Sequence, residues 1–284
     1  MQDLRGTAAG PLSPEADRRL YSALSLDWWT ESKGFLLLQR GIDTAVAGRV
    51  LNVLGRPIVR LWVHTAEMSD PLLPRPETPD HRTPPAHNDD RLLLVGNGAT
   101  VGYGVLSHEL SLAGHLGRQV SQLTARATHV SVIADGSMTA GSALTTLRDV
   151  DFTPFDGVVL TVGVNEALSL APAARWGREL DALLRSVRTT MPRLRVFMVA
   201  IPPLNSITSV PTFVEWIIDR HTSMLNRVLA ETCARFTRVT FLPFAPGPSS
   251  DIARYRSTET YREWSSIISG DVAHWLVSDC AEDD

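Results

Sequence analysis

The chain has 284 residues, 44% of them hydrophobic, and a formal net charge of -4. This length and apolar content predict one main hydrophobic core with an extension, rather than two equal domains. The slight negative charge gives no general attraction to nucleic acid, and no Lys/Arg run is interleaved with aromatic residues. These features exclude nucleic acid as an expected partner.

Cysteine usage and the N-terminal composition bear on the cell compartment. The only cysteines are Cys233 and Cys280, which form neither a disulfide framework nor a zinc-ligand spacing. Residues 1–20 lack the basic start and apolar stretch of a secretory signal. We therefore expect a cytoplasmic protein without a structural metal.

The N-terminal region, residues 1–68, is predicted to be an arm followed by an amphipathic helical extension. Apolar residues recur there at helical spacing up to Pro57: Ile42, Val46, Val50, Val53 and Leu54. Arginines interrupt this region too often for a membrane span. We expect the helix to pack on the main domain; the alternative, given its arginine excess, is contact with a membrane surface.

A proline-rich linker is predicted at residues 69–90, where six prolines stand among acidic residues, His and Asn. Its histidines, His81 and His87, have no carboxylate or Cys partner at metal-ligand spacing, so solvated side chains are expected. The linker places the start of the main domain, residues 91–279, at Arg91.

Beyond the linker, short apolar segments alternate with segments of helical periodicity. The predicted strands are Leu92–Val95, His129–Ala134, Val158–Val162, Val196–Ile201 and Val239–Leu242. The helical segments centre on residues 112–123, 144–147, 176–187 and 213–229, with a last one after Tyr261. The pattern predicts an α/β fold: a doubly wound, flavodoxin-like parallel sheet of five strands in a three-layer α/β/α arrangement.

The most distinctive stretch is a loop with four glycines, Gly96 to Gly104, directly after the first strand. Its spacing is one residue too long for a dinucleotide-binding fingerprint, and no Lys-Ser/Thr pair closes it as a P-loop. We therefore predict no nucleotide cofactor. The loops after the second and third strands should lie beside it at the carboxyl edge of the sheet.

This loop resembles the first block of the SGNH/GDSL hydrolases, a family of esterases and acyl hydrolases in which a serine of Gly-Asp-Ser-Leu is the nucleophile. Gly96, Thr100 and Gly102 fit the block, while Asn97 stands in place of Asp. Gly98 occupies the position of the nucleophile. The resemblance thus implies the family's fold without its attacking oxygen.

Two further blocks follow at the expected points of the chain. Gly136 fills the position whose backbone N–H binds the oxyanion in the family, and a plain turn glycine is the alternative. The segment Gly163-Val164-Asn165-Glu166 is similar to the family's Gly-x-Asn-Asp block. By that resemblance Asn165 donates its side-chain amide to the oxyanion; capping of the next helix is the alternative.

The last block should supply the catalytic histidine and its aspartate before a final helix. Tyr261-x-x-Trp264 is recognisable, and counting back from it without a gap puts Tyr255 at the histidine position and Ile252 at the aspartate position. Arg254 and Arg256 flank Tyr255, and we predict that they contact an anion.

These substitutions predict a catalytically degenerate protein whose pocket at Gly98, Gly136 and Asn165 binds an acyl, carboxylate or phosphate group. One alternative is an active esterase with relocated residues, drawn from Ser107, Ser137 and the pair Asp271 and His274. On a helix, however, Asp271 and His274 would form an ordinary surface pair. A second alternative is an interaction domain that uses the adjacent Trp28 and Trp29 and the N-terminal helix.

Overall fold

The computed structural model describes Pro76 and residues 89–203, 212–244 and 257–282. The predicted N-terminal arm and helix lie outside these residues, as does most of the predicted linker. The division into residues 1–68, 69–90 and 91–279 therefore stays a prediction. Pro76 itself lies close to the main domain, because a Cβ added to Gly102 would be 3.0 Å from its Cγ.

The sheet contains five parallel strands in the order β2-β1-β3-β4-β5. The strands are β1 (Asp90–Gly96), β2 (Thr128–Ala134), β3 (Gly157–Thr161), β4 (Arg195–Val199) and β5 (Val239–Leu242). All five predicted strands are therefore confirmed. The order is that of the flavodoxin-like sheets, which reverse direction of winding at β1 and β3.

Helices connect the strands. They are α1 (Leu112–Thr124), α2 (Ala140–Leu147), α3 (Val164–Leu168), α4 (Ala173–Thr190), α5 (Thr212–Cys233) and α6 (Thr258–Glu282). Two short 3-10 helices, Gly98–Val101 and His108–Leu110, stand between β1 and α1. Within the described ranges, no helix is both long and apolar enough to cross a bilayer.

Alternate residues of the strands point to opposite faces, and each face is covered by helices. On one face Leu93 and Val95 of β1 belong to a core that includes residues of α2, α4 and α5. On the other face Leu92 and Leu94 pack in a core with residues of α1 and α6. The predicted three-layer α/β/α architecture is thereby confirmed.

Candidate functional site

The loops that follow β2, β1 and β3 lie side by side, because β1 is hydrogen-bonded to both neighbours up to its last residue. Gly96 is in register with Ala134 of β2 and with Thr161 of β3. A Cβ at Gly96 would stand 2.3 Å from the Thr161 carbonyl oxygen, so only glycine permits this close approach. The sheet thus brings together the three loops that carry Gly98, Gly136 and Asn165.

Gly98 begins the first 3-10 helix with a φ of +54°, in the left-handed region. A Cβ added there would meet only the Val164 Cγ2, at an ordinary contact distance of 3.8 Å. The position corresponding to the family's nucleophile therefore has space for a side chain. The cost of adding one lies in the backbone conformation, about 1–2 kcal/mol for a residue with a Cβ.

Asn97, in the position where the family has Asp, is a buried structural residue. It is 1% exposed, and its Nδ2 donates to the Met138 carbonyl oxygen at 2.7 Å. Its Oδ1 is buried and has no hydrogen-bond partner among the residues that the structure describes. Asn97 thus ties the loop after β1 to the loop after β2.

Asn165 holds the same segment from the other side. Its Nδ2 donates to the carbonyl oxygens of Gly136, at 2.9 Å, and of Met138, at 2.8 Å. Two carbonyl acceptors require the NH₂ end of the amide, which fixes the orientation of the side chain and engages both of its hydrogens. The predicted oxyanion role of Asn165 stays a prediction, and a ligand would have to compete with one of these carbonyls.

Glu166 completes this set of contacts. Its Oε1 accepts from the Ala140 N–H at 2.7 Å, at the first residue of α2, while its buried Oε2 has no hydrogen-bond partner in the described ranges. The side chain is 3% exposed, and burial raises the pKa of the carboxyl. Asn97, Asn165 and Glu166 together fix the backbone from Gly136 to Ala140. In the sequence Asn97 and Glu166 stand out only as substitutions within motifs, although a polar residue just after a buried strand is a signal for this role.

Tyr103 is a site residue that sequence analysis missed. Its hydroxyl lies against Gly136, where an added Cβ would be 2.4 Å from the phenol oxygen. Its backbone carbonyl accepts from the Tyr261 hydroxyl at 2.8 Å. The flanking glycines, Gly102 and Gly104, have φ values of +74° and +85°. An aromatic residue between two glycines was the only available signal.

Residues 254–256, with the predicted anion contacts Arg254 and Arg256 and the vacated base position Tyr255, lie outside the described residues. The residues on either side of that stretch pack together: the rings of Phe244 and Trp264 have centroids 5.5 Å apart, edge to face. Because Tyr261 hydrogen-bonds to Tyr103, the start of α6 lies beside the loop after β1.

The residues of the relocated-catalysis alternative are dispersed. His274 packs edge-to-face on Trp275, whose ring lies 4.1 Å from the Arg195 Cζ at the start of β4. At about 1.5 Å per residue, His274 lies roughly 24 Å along α6 from Thr258, which is at the loop edge. Asp271 is half-buried, and burial raises the pKa of its carboxyl. The pair therefore stands at the edge of the sheet opposite to the three loops.

The two candidate serines lie nearer the loops. The Ser137 Oγ donates to the Asp135 Oδ1 at 2.8 Å. The hydrogen bonds from the Ser137 N–H and from this hydroxyl lower the pKa of the Asp135 carboxyl. Ser107 precedes the second 3-10 helix and makes no side-chain capping bond.

The sequence matches the model of the GDSL-like Lipase/Acylhydrolase family over residues 94–266, a span that includes all three strand-end loops. The chain belongs to this family. The match and the five-stranded sheet confirm the resemblance drawn from the sequence motifs. No curated protein matches the sequence.

Solved structures of this hydrolase fold are similar to the chain at low identity. The lipase/acylhydrolase from Enterococcus faecalis is 17% identical with a TM-score of 0.51, over 65% of this chain and 96% of that one. A family 3 carbohydrate esterase from Clostridium thermocellum is 15% identical with a TM-score of 0.51, over 66% and 98%. The family two carbohydrate esterase from Cellvibrio japonicus is 12% identical with a TM-score of 0.50. The likeness covers 68% of this chain and 63% of the esterase. At these identities the likeness establishes the fold alone.

Proposed function

We propose that this GDSL-family protein is catalytically degenerate and uses the strand-end pocket to bind an acyl, carboxylate or phosphate group. The observation that carries the proposal is at Gly98. The family's nucleophile position has no side chain, although a Cβ there would have space. The position has therefore lost its attacking atom without being filled by a neighbour.

The pocket retains hydrogen-bond donors. Gly98 is the first residue of its 3-10 helix, so its N–H has no acceptor within that helix. The Gly136 N–H is likewise paired with no backbone carbonyl of the described chain. Both residues are half-buried, which leaves them within reach of a ligand. Backbone N–H groups of this kind bind an oxyanion whether or not a nucleophile stands beside them.

Binding without turnover follows from the way in which triads act. The nucleophile and its base work as a unit, and removing them leaves roughly 10³ to 10⁴ of acceleration over water in a well-studied protease. With glycine at position 98 and Tyr255 in the base position, binding is the function that these residues support.

Two arginines are the reason why we expect the proposed pocket to prefer anions. Arg254 and Arg256 flank the vacated base position in the sequence. We propose that they add positive charge to the pocket, because charge-assisted hydrogen bonds are stronger than those to a neutral ester. We also propose a cytoplasmic location, which the cysteine usage supports, since the two cysteines of the sequence do not form a disulfide framework.

The test is calorimetry and thermal shift with a panel of fatty acids, acyl phosphates, acetate and inorganic phosphate, beside an assay with short acyl esters. We expect at least one anion to bind, with an affinity that falls as the salt concentration rises, and no ester to be hydrolysed. If no compound binds, the pocket is a relic, and the interaction-domain alternative replaces this proposal.

A second candidate, an active esterase, has one observation in its favour. Ser137 is exposed, adjoins Gly136, and donates its hydroxyl hydrogen to the Asp135 carboxylate. Hydrolysis that disappears in Ser137→Ala would establish this alternative.

A further inference from the structure

We propose that His115 is an acid-sensitive link that joins the second 3-10 helix, α1 and the first turn of α6. The link is a chain of hydrogen bonds that runs through Arg118, His115 and Thr258. It is independent of the proposed ligand binding, and its test needs no ligand.

Three contacts make up the link. The Arg118 Nη2 donates to the Glu109 carbonyl oxygen of the second 3-10 helix at 2.9 Å and to the His115 Nδ1 at 3.0 Å. A guanidinium NH₂ has two hydrogens and no acceptor, so these contacts engage both hydrogens. The His115 Nε2 lies 2.9 Å from the Oγ1 of Thr258, the first residue of α6. The chain of contacts therefore spans three elements.

These contacts fix the protonation of the imidazole. Because Arg118 can only donate, the His115 Nδ1 must accept and carries no hydrogen. The single hydrogen of a neutral imidazole is then on Nε2, from which it is donated to the Thr258 Oγ1. The arrangement thus requires the neutral tautomer with hydrogen on Nε2. The same tautomer excludes His115 as a base for the Thr258 hydroxyl, since Nε2 has no lone pair to accept a proton.

Acid removes the acceptor from this chain. Protonation of His115 puts a hydrogen on Nδ1, opposite the Arg118 donor, and a positive charge beside the guanidinium. If Arg118 then moves away, its contact with the Glu109 carbonyl is lost. If the ring turns instead, its contact with Thr258 is lost. In either case a hydrogen bond between two elements is broken.

The surrounding groups favour the neutral ring at ordinary pH. Burial, then Arg118 on α1 and Arg262 on α6, lower the pKa of His115 from its ordinary value of 6.5, while Glu259 on α6 opposes them. The second 3-10 helix faces this cluster with the Glu109 carbonyl, through Arg118. Since the folded-state pKa is below that of the unfolded chain, the stability from the link is full above pH 6.5. It declines as pH falls through the folded-state pKa.

The link lies next to the loop after β1. The second 3-10 helix follows that loop along the chain. The start of α6 is tied to the same loop, because the Tyr261 hydroxyl donates to the Tyr103 carbonyl oxygen at 2.8 Å. Loss of the link in acid therefore loosens two elements that border this loop.

The first test reads the tautomer in the wild-type protein by ¹⁵N NMR of the histidine rings, with His115→Gln to assign the signal. We expect hydrogen on Nε2 and none on Nδ1 at pH 7.5. Hydrogen on Nδ1 at that pH would overturn the inference. This measurement uses the unaltered chain, so it decides the question even where a variant fails to fold.

The same signal tests the role of Arg118. Arg118→Met removes the donor and the charge, and should raise the pH at which the His115 ring titrates. Arg185→Met, which removes an exposed arginine of α4, is the matched control and should leave that titration unchanged. Equal titration of the ring in both variants would remove Arg118 from the link.

The second test is denaturant unfolding of the wild type and His115→Gln between pH 8 and pH 5. Gln is polar but does not titrate, so the free energy of unfolding of the wild type relative to that of the variant should decrease as pH falls below 6.5. His274→Gln removes an exposed imidazole further along α6 and should show a smaller change. A difference between wild type and His115→Gln that stays constant or grows in acid would refute the acid-sensitive link.

Discussion

The side chain of Asn165 holds the backbone of Gly136 through a hydrogen bond of 2.9 Å from its Nδ2 to the Gly136 carbonyl oxygen. Its second hydrogen goes to Met138, whose carbonyl also accepts from Asn97. Asn165, which by the family resemblance would donate to the oxyanion, therefore also links the loop after β3 to the loop after β2. Any experiment on Asn165 must separate its effect on stability from its effect on binding.

Asn165→Ala should destabilise the fold as well as weaken anion binding. The Gly136 carbonyl loses its side-chain donor, whereas the Met138 carbonyl keeps the one from Asn97, and leaving a partly buried acceptor unsatisfied costs about 1–3 kcal/mol. Denaturant unfolding measures this loss, with Ser169→Ala in the same loop region as a control for removal of one surface hydrogen bond. Affinity should fall by about 1.5–3 kcal/mol if the amide also contacts a charged ligand. A stable Asn165→Ala variant with unchanged affinity would leave Asn165 no role in the pocket.

Gly98→Ser should not create an efficient esterase, because the new hydroxyl lacks a histidine to take its proton. Gly98→Ala is the matched control, since both changes put a Cβ on a residue with φ of +54° and should cost about 1–2 kcal/mol of stability. Ester hydrolysis and unfolding are measured for both. Adding Tyr255→His and Ile252→Asp to Gly98→Ser should raise activity above that of any single change. Family-like rates in Gly98→Ser alone would reveal another base and an error in the alignment of the last block.

Glu166 should make stability depend on pH. Burial raises the folded-state pKa of its carboxyl above the ordinary value of 4.5, so the folded state favours the neutral acid. The stability that this gives is full below 4.5 and declines as pH rises through the folded-state pKa. Glu166→Gln keeps the size of the side chain and the Ala140 contact without the charge. The free energy of unfolding of Glu166→Gln relative to that of the wild type should therefore increase with pH. Denaturant unfolding between pH 4 and 8 measures the difference.

Glu263→Gln, on the exposed surface of α6, is the control for loss of one acidic charge. A constant difference between wild type and Glu166→Gln across this range would contradict the role given to burial. Asp156 and Asp271 also have pKa values raised by burial, so the wild-type curve reflects other groups besides Glu166, and only the difference between variants reports Glu166.

The purified protein should not hydrolyse short acyl esters. The reason is the combination of Gly98 with Tyr255, which leaves neither nucleophile nor base in the family's positions. Repeated purification with a constant ratio of activity to protein distinguishes genuine turnover from a contaminant. Turnover that survives this and is lost in Ser107→Ala, Ser137→Ala or His274→Ala would replace the proposed function by the esterase alternative.

Anion binding should weaken with ionic strength, because Arg254 and Arg256 are expected to contribute by charge. The double variant Arg254→Gln, Arg256→Gln should bind acetate and phosphate several-fold more weakly and show a flatter dependence on salt. Arg185→Gln, in an exposed pair with Asp181 on α4, controls for the loss of a positive charge elsewhere. Binding by the double variant that keeps the wild-type salt dependence would exclude both arginines from the pocket.

The sequence alone determined the architecture and the order in which the three strand-end loops follow their strands. Parallel strands covered on both faces are continuous apolar runs. The strands from Leu92–Val95 to Val239–Leu242 could therefore be predicted from the sequence. Glycine loops placed directly after β1, β2 and β3 then fixed the edge of the sheet at which Gly98, Gly136 and Asn165 meet. The glycine at position 98, where the family resemblance places a serine, could be read from the sequence for the same reason, since a motif position is a local property of the chain.

Only the tertiary structure decided what the polar residues of these loops contact. Asn165 and Gly136 are 29 residues apart, and Tyr103 and Tyr261 are 158 apart. No periodicity in the sequence specifies which carbonyl an amide will meet, or that a phenol will rest against a glycine in another loop. Those contacts depend on the order of strands in the sheet and on the close approach of the Gly96 and Thr161 backbones. The hydrogen-bond partners of the loop residues are therefore set by long-range packing, whereas the positions of the loops along the chain are set by local pattern.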